Sequence, residues 1–197
     1  MNFKPYIVQK TVIFFILILV FSGCKEARVS SEKDFAKEVK SLSAIDLQKE
    51  FLEEIYKTDQ ETRNALNDAR LTYGYDSAEK KEVQQIMVNN DRNNFQKIEL
   101  YLQKYGHPSI AEHGEKASRA PWIVIHHTSD IASKERNFTY LYEAYRKGNL
   151  ESGSFSLYLG RLHRTKFGNR FTLPNPYREE QLIDSLITRL GLVAKEY

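Results

Sequence analysis

The sequence predicts an all-α fold, a compact bundle of six to seven helices with one long central helix. Three observations carry that prediction. Apolar residues recur at three- and four-residue spacing in one window after another beyond residue 45. Glycines stand just past the ends of those windows, at Gly106, Gly148, Gly168 and Gly191, where a helix C-terminus favours them. Aromatic residues are plentiful, with 12 Tyr and 11 Phe, while 9 Gly and 5 Pro are too few for a disordered stalk. No internal repeat is present.

The first helix is predicted from Ile45, with Leu47, Phe51, Leu52, Ile55 and Tyr56 on one face and Asp46 as N-cap. It runs to Leu66 or Ala69, and Leu71 to Asp76 reads as a loop around Gly74. The long helix follows from Ser77, a good N-cap, to Tyr105. Val83, Ile86, Met87, Ile98, Tyr101, Leu102 and Tyr105 mark its apolar stripe, and its middle, Asn89 to Asn94, is unusually polar. Ile110 to Ala120 has weak helical character. Pro121 suits the first position of a new helix, and Trp122 to Ile125 is a dense apolar run read as buried helix, with a short strand as the alternative. Further helices are expected over Arg136 to Lys147, Ser154 to Lys166, and Glu179 to Leu190 after the Pro174-Asn175-Pro176 turn. Residues 45–197 thus form a single domain.

Ahead of that domain, Thr11 to Cys24 reads TVIFFILILVFSGC, with Lys10 and Lys25 on either side. A membrane-spanning helix needs ~20 apolar residues. The shorter run suits the apolar core of a signal peptide. The pattern resembles a bacterial lipoprotein signal over residues 1–23, with Cys24 acylated to become the first residue of the mature chain. Phe21 departs from it, since an aliphatic residue usually stands three before the cysteine. The alternative is an uncleaved N-terminal anchor with the same topology. One acyl chain binds a membrane only marginally, so the two or three chains the resemblance implies make attachment lasting. Cys24 is the only cysteine, so the fold cannot depend on disulfides. Residues 24–44 are expected to be the lipidated cysteine and a polar, extended tether. No Asp follows Cys24, so inner-membrane retention is not signalled. The outer membrane is the expected location, and the Lys25-Glu26 pair resembles an export signal of surface lipoproteins.

Charge excludes one class of partner. Twenty-nine basic residues stand against 26 acidic ones, and Lys4 and Lys10 leave with the signal. No nucleic-acid footprint remains. The expected partners are the membrane, through the lipid, and an envelope protein or a small-molecule ligand. No cofactor is indicated.

Candidate site residues each carry a plainer reading as well. Asp59 and Arg63 are four apart on the first helix, with Gln60 beside them. They read as an exposed ion pair worth ~0.3–0.5 kcal/mol, or as a polar patch in which Arg63 holds an anion. His126 and Asp130 are also four apart, which suggests an oriented general base. The plainer reading is a buried, hydrogen-bonded His126 beneath Trp122. Adjacent helical residues point about 100° apart, so only one of His126 and His127 is expected to face inward. A zinc site needs three or four ligands. His113, Glu112 and Glu115 are the nearest additions, in no standard spacing, so no metal is expected. Arg161, His163, Arg164, Lys166 and Arg170 form a basic cluster, explained by the helix dipole or by contact with anionic lipid. No phosphate-binding glycine loop, GxSxG elbow or catalytic cysteine is present.

Several pieces, in order, resemble a bacterial family known as domain of unknown function 6624. They are Phe51 to Ile55 with Asp59-Gln60-Glu61-Thr62-Arg63, Asp91-Arg92-Asn93-Asn94, and Tyr105-Gly106-His107-Pro108-Ser109. Ala117 with Ala120 to His127, the Arg161 helix, and Ile183-Asp184 through Leu190-Gly191-Leu192 complete the likeness. The resemblance covers most of the chain after residue 45. It implies a compact helical domain with Asp59, Gln60, Arg63, Asn94 and His126 as the polar set, and no known reaction. The family tends to end in an Asp-Arg pair with glutamines around a Tyr-Gly-Thr segment. Gly160-Arg161 and Arg170-Phe171-Thr172-Leu173 stand there instead, so an activity that needs that acid is lost or altered. Two functions are therefore expected as rivals. One is a lipid-anchored domain that binds a ligand or partner without chemistry. The other is a hydrolase with His126 as base, Asp59 or Asp130 as its orienter and Arg63 as anion holder.

Overall fold

The computed structural model describes residues 34–193. The signal, Cys24 and most of the tether lie outside the described residues. The described part of the tether is not extended throughout: residues 34–41 form a helix, α1. Within it the Ser41 hydroxyl donates to the Glu38 carbonyl at 2.7 Å. α1 falls in a separate unit from the remainder, which begins at Leu42.

That remainder is all helix and loop among the described residues. α2 (Ile45–Tyr73), α3 (Ala78–Tyr105), α4 (Ile110–His127), α5 (Ile131–Arg136), α6 (Phe138–Arg146), α7 (Ser152–Phe167) and α8 (Glu179–Leu190) follow in order. The expected single long helix is two, since α2 spans 29 residues and α3 spans 28. α2 runs four residues past its expected end, because Asn67 to Tyr73 contains no breaker until Gly74. Gly74 takes a φ of 92° and its N–H closes on the Arg70 carbonyl. Asp46 is not the N-cap; Ala44 stands there without a side-chain bond, and Asp46 sits in the first turn. Ser77 caps α3 as expected, its hydroxyl accepting the Lys80 N–H at 3.1 Å.

Pro121 does not start a helix. It lies inside α4, and the break falls earlier, at Gly114, with φ 79° and ψ 170°. A proline inside a helix removes one hydrogen bond, here the one to the Ala117 carbonyl. A glycine at positive φ interrupts the helical path itself. Trp122 to Ile125 is buried helix, and the strand alternative falls. The expected helix at Arg136 to Lys147 is α6, which starts two residues later; Asn137, whose amide donates to the Ser133 carbonyl at 2.9 Å, separates it from the short α5, which was not expected.

α2 packs against α3 and α4, and α7 packs against α8 and α4. Phe51 stacks on Tyr101 while Arg63 reaches Asp91, so α2 and α3 run antiparallel. Leu52 of α2, Ile98 and Leu102 of α3 and Ile125 of α4 are fully or almost fully buried. A second nest of rings surrounds Phe155 on α7: Phe138, Tyr142, Tyr145 and Tyr158 all lie within 6.2 Å, centroid to centroid. Trp122 joins the two regions by donating its indole N–H to the Ser154 carbonyl at 2.7 Å. Polar groups inside the core are mostly tied. Tyr101 donates to Gln48 at 3.0 Å, and His113 Nε2 lies 3.2 Å from the same oxygen. His113 is thus part of a buried hydrogen-bonded network. Among the described residues no group of three or more His, Cys, Asp or Glu is placed to hold a metal ion. No helix among them is long and apolar enough to cross a membrane.

Candidate functional site

Asp59 is the centre of the polar site. Its side chain is 1% exposed, so it is not half of a surface ion pair. A buried carboxylate persists only if its oxygens are satisfied. Three side chains do this. Arg63, one turn on, donates through Nη2 to Oδ1 at 3.1 Å and through Nε to Oδ2 at 3.3 Å. Gln60 donates its amide to Oδ2 at 2.8 Å. His127 Nδ1 meets Oδ1 at 2.9 Å from α4. Burial alone would raise the Asp59 carboxyl, but the hydrogen bonds from His127 and Arg63 outweigh it and hold it below the usual carboxylate range.

Arg63 carries the site across to α3. Its Nη2 also donates to Asp91 Oδ1 at 2.7 Å. One guanidinium therefore serves two carboxylates. The second fares worse: burial raises the Asp91 carboxyl, and the attraction of Arg63 offsets this only in part while negative Asp59 adds to it. Asn94 follows Asp91 by one turn on the same face of α3. It is buried, and its amide nitrogen has no hydrogen-bond partner among the described residues.

The two histidines divide differently from the expectation. Both are partly buried, because α4 is packed by α2 on one side and α7 on the other. His127, not His126, pairs with Asp59. The carboxylate can only accept, so Nδ1 of His127 carries the proton and Nε2 is left as the acceptor when the ring is neutral. His126 lies over Trp122, with ring centroids 5.4 Å apart, and meets His127 edge-on at 5.5 Å. Its Nδ1 is buried without a hydrogen-bond partner among the described residues. Burial lowers the His126 pKa to about 3, with further depression from the charges of Arg161, Lys134 and His127. His126 is therefore neutral at any ordinary pH and is a poor general base.

Asp130 does not orient either ring. α4 ends at His127, so the four-residue spacing from His126 leaves the helix before it can place Asp130 on the same face. Asp130 instead caps α5, accepting the Ser133 N–H at 2.8 Å, with its side chain 59% exposed.

The basic cluster on α7 also separates. Arg161 turns inward and is partly buried. Burial lowers its pKa, as do the charges of Arg63 and Arg164, while Asp91 acts the other way. No acid or carbonyl among the described residues bonds to it. His163 is buried between Phe167 and Phe171 and lies 3.2 Å from the Asn169 carbonyl. Lys166 pairs with Glu135 at 2.7 Å. Only Arg164 and Arg170 remain as simple outward cations, which leaves little of an expected lipid-facing patch.

Three participants had no role assigned from the sequence: His127, Asp91 and Lys134. The double histidine pointed to the first and the polar centre of α3 to the second. Lys134 had no signal, since a lysine between Ser133 and Glu135 reads as surface. It is 0% exposed. Its ammonium donates to the carbonyls of Ile125 at 2.8 Å and His126 at 2.7 Å, closing the C-terminal end of α4, where a cation is favoured. Burial, with Arg161 nearby, lowers it to about 7.

No protein-family model matches this chain, and no curated protein or solved structure matches it.

The His126 shift has a measurable consequence. Its folded pKa lies below the ordinary value near 6.5. The neutral ring therefore supports the fold fully above pH 6.5, and that support is lost as pH falls toward 3. Asp91, raised, acts with the opposite sign through the carboxylate range. Replacing His126 by Gln is expected to flatten the stability profile between pH 6 and 4 by roughly 1–3 kcal/mol. Urea denaturation at stepped pH checks this, and parallel profiles for variant and wild type would show that the ring protonates freely.

Proposed function

We propose that this chain is a lipid-anchored protein of the bacterial envelope, held at the outer membrane through Cys24. Its helical domain binds a small anionic ligand, without chemistry, beside Arg63 and Arg161. One observation carries the reading. Arg161 is a partly buried guanidinium with no acidic hydrogen-bond partner among the described residues, close enough to Arg63 and His126 to act on both. Partial burial already disfavours the charge of Arg161. An oxyanion would relieve that cost and face the donor groups of a planar guanidinium fork. The unpartnered amide of Asn94 is a further buried donor one turn from Asp91. The proposed kinship with the family of domain of unknown function 6624 rests on the sequence resemblance alone. The lipid anchor rests on the lipoprotein-like signal alone.

The test uses the full chain and inorganic phosphate or sulfate as probes. A bound anion at about 100 times its Kd stabilises the fold by ~2.7 kcal/mol, or roughly 5–10 °C for a chain of this size. Wild type is expected to show such a shift and Arg161→Gln to lose it while melting no lower when the anion is absent. Equal shifts in both proteins, or none in wild type, would end this reading.

A hydrolase is the second reading, and the 2.9 Å contact between Asp59 and His127 is the observation that favours it. The base would be His127 through Nε2, with Asp59 fixing its tautomer. Turnover of p-nitrophenyl acetate or p-nitrophenyl phosphate that vanishes in His127→Gln, with anion binding intact, would favour chemistry over binding.

A further inference from the structure

A groove of about 460 Å³ lies between the C-terminal half of α2 and the N-terminal half of α3. It shares only Arg63 with the site around Asp59. Its other cations are Arg70 and Lys80, and no carboxylate lines it. Neither cation is paired with an acid among the described residues. Arg70 donates to the Asn67 amide oxygen at 2.6 Å, and Lys80 donates to the Gln84 amide oxygen at 2.6 Å. Amide oxygens satisfy the hydrogen bonds and leave both charges uncompensated. Arg70 also keeps a buried Nε with no hydrogen-bond partner among the described residues. Its guanidinium sits 5.2 Å from the centroid of the Tyr75 ring, which orders it without neutralising it. Leu66 and Met87 supply an apolar lining beside these groups, and Tyr75 is 68% exposed, so its ring is open to a ligand.

Two cations held by neutral partners, beside apolar side chains and an open aromatic ring, match a ligand with an anionic end and an apolar body. The volume falls within the ~300–1,000 Å³ of small-molecule sites. We propose that this groove binds a small amphiphilic oxyanion, a phosphate or carboxylate joined to an apolar ring or short chain. Arg70 and Lys80 take the anion, and Leu66 and Met87 take the apolar part. The groove stands apart from the anion reading of Arg161, because its two anchoring cations lie on neither α4 nor α7.

Phenyl phosphate is the probe, titrated calorimetrically into the full chain. Saturable binding is expected, tighter than that of inorganic phosphate by about 5-fold or more, because only the former covers the apolar lining. The double variant Arg70→Gln/Lys80→Gln is expected to bind at least about 10-fold more weakly. Arg70→Lys/Lys80→Arg, which keeps the charge, should retain most of the binding, and helical circular dichroism should be unchanged in both. Arg161→Gln should leave phenyl phosphate binding at the groove in place. Loss of binding in Arg161→Gln but not in the groove variant would place the probe at the Asp59 site, overturning this proposal and sparing the other. No saturation, no preference over inorganic phosphate, or equal binding by wild type and the groove variant would also overturn it. So would Arg70- and Lys80-dependent binding to phosphatidylglycerol vesicles by a chain that ignores phenyl phosphate, since the groove would then serve a membrane surface.

Discussion

Asp59→Ala is expected to destabilise the domain by about 3–5 kcal/mol, the cost of breaking a buried ion pair from one side. The carboxylate accepts from Arg63, Gln60 and His127 together, at 2.8 to 3.3 Å. Its removal leaves the Arg63 guanidinium with Asp91 alone, and Asp91 is the carboxylate that burial already pushes up. For a domain whose whole stability is typically 5–15 kcal/mol, that is a large fraction. The melting temperature should fall by roughly 6–20 °C. The pH dependence gives an independent check. The folded pKa of Asp59 is lowered, so its contribution is complete above the ordinary value of 3.8 and is lost as pH falls below it. Wild type should lose that increment on acidification, and Asp59→Ala should not. Equilibrium urea denaturation at pH 7 and pH 3 measures both effects. A cost below about 1 kcal/mol at pH 7 would mean that the pair behaves as a solvated surface contact.

Phe155→Ala should cost about as much, ~3–5 kcal/mol, for a different reason. Phe155 is 0% exposed and lies against four other rings. Tyr145 stacks on it at 5.0 Å with 14° between the planes, and Tyr158 and Phe138 stack at 5.9 and 6.2 Å. Alanine leaves a void that the four remaining rings cannot close by small rotations. Phe155→Leu keeps most of the volume and should cost less than about 1.5 kcal/mol. The contrast between the two variants separates cavity from chemistry, since neither residue has a polar group. Comparable losses for Leu and Ala would show that ring stacking, and not filled volume, holds α6 and α7 together.

Helix positions were legible along the chain because they depend on neighbours within one or two turns. The Ser77 cap, the stop at Gly106, and the bounds of α8 came through as read. Misreadings fell where two local signals competed. Pro121 looked like a start, yet an interior proline costs one hydrogen bond while Gly114 at positive φ breaks the helical path. Leu71 to Tyr73 looked like loop, yet nothing in it stops a helix before Gly74. Cys24 and the signal lie beyond the described residues, and their reading stands on composition alone.

The site was legible by residue type and not by partner. Asp59, Gln60 and Arg63 share one helix, so their spacing exposed them. The choice between His126 and His127 turned on which side of α4 faces α2, and the contact of His127 with Asp59 spans 68 positions of the chain. Asp130 followed a helical spacing that the helix did not live to complete. Lys134 is the clearest case. As a residue it is a long, strongly hydrated cation that belongs at a surface. It is buried because the short α5 brings it under the open carbonyls of Ile125 and His126, groups that need donors and have no local ones. The sequence by itself specified an all-α chain, the approximate span of most helices and a short roster of polar residues, since these follow from backbone periodicity and side-chain chemistry. Which histidine holds the carboxylate, where Arg161 points and why Lys134 is inside were settled by packing, because each depends on the faces that helices distant in sequence turn toward one another.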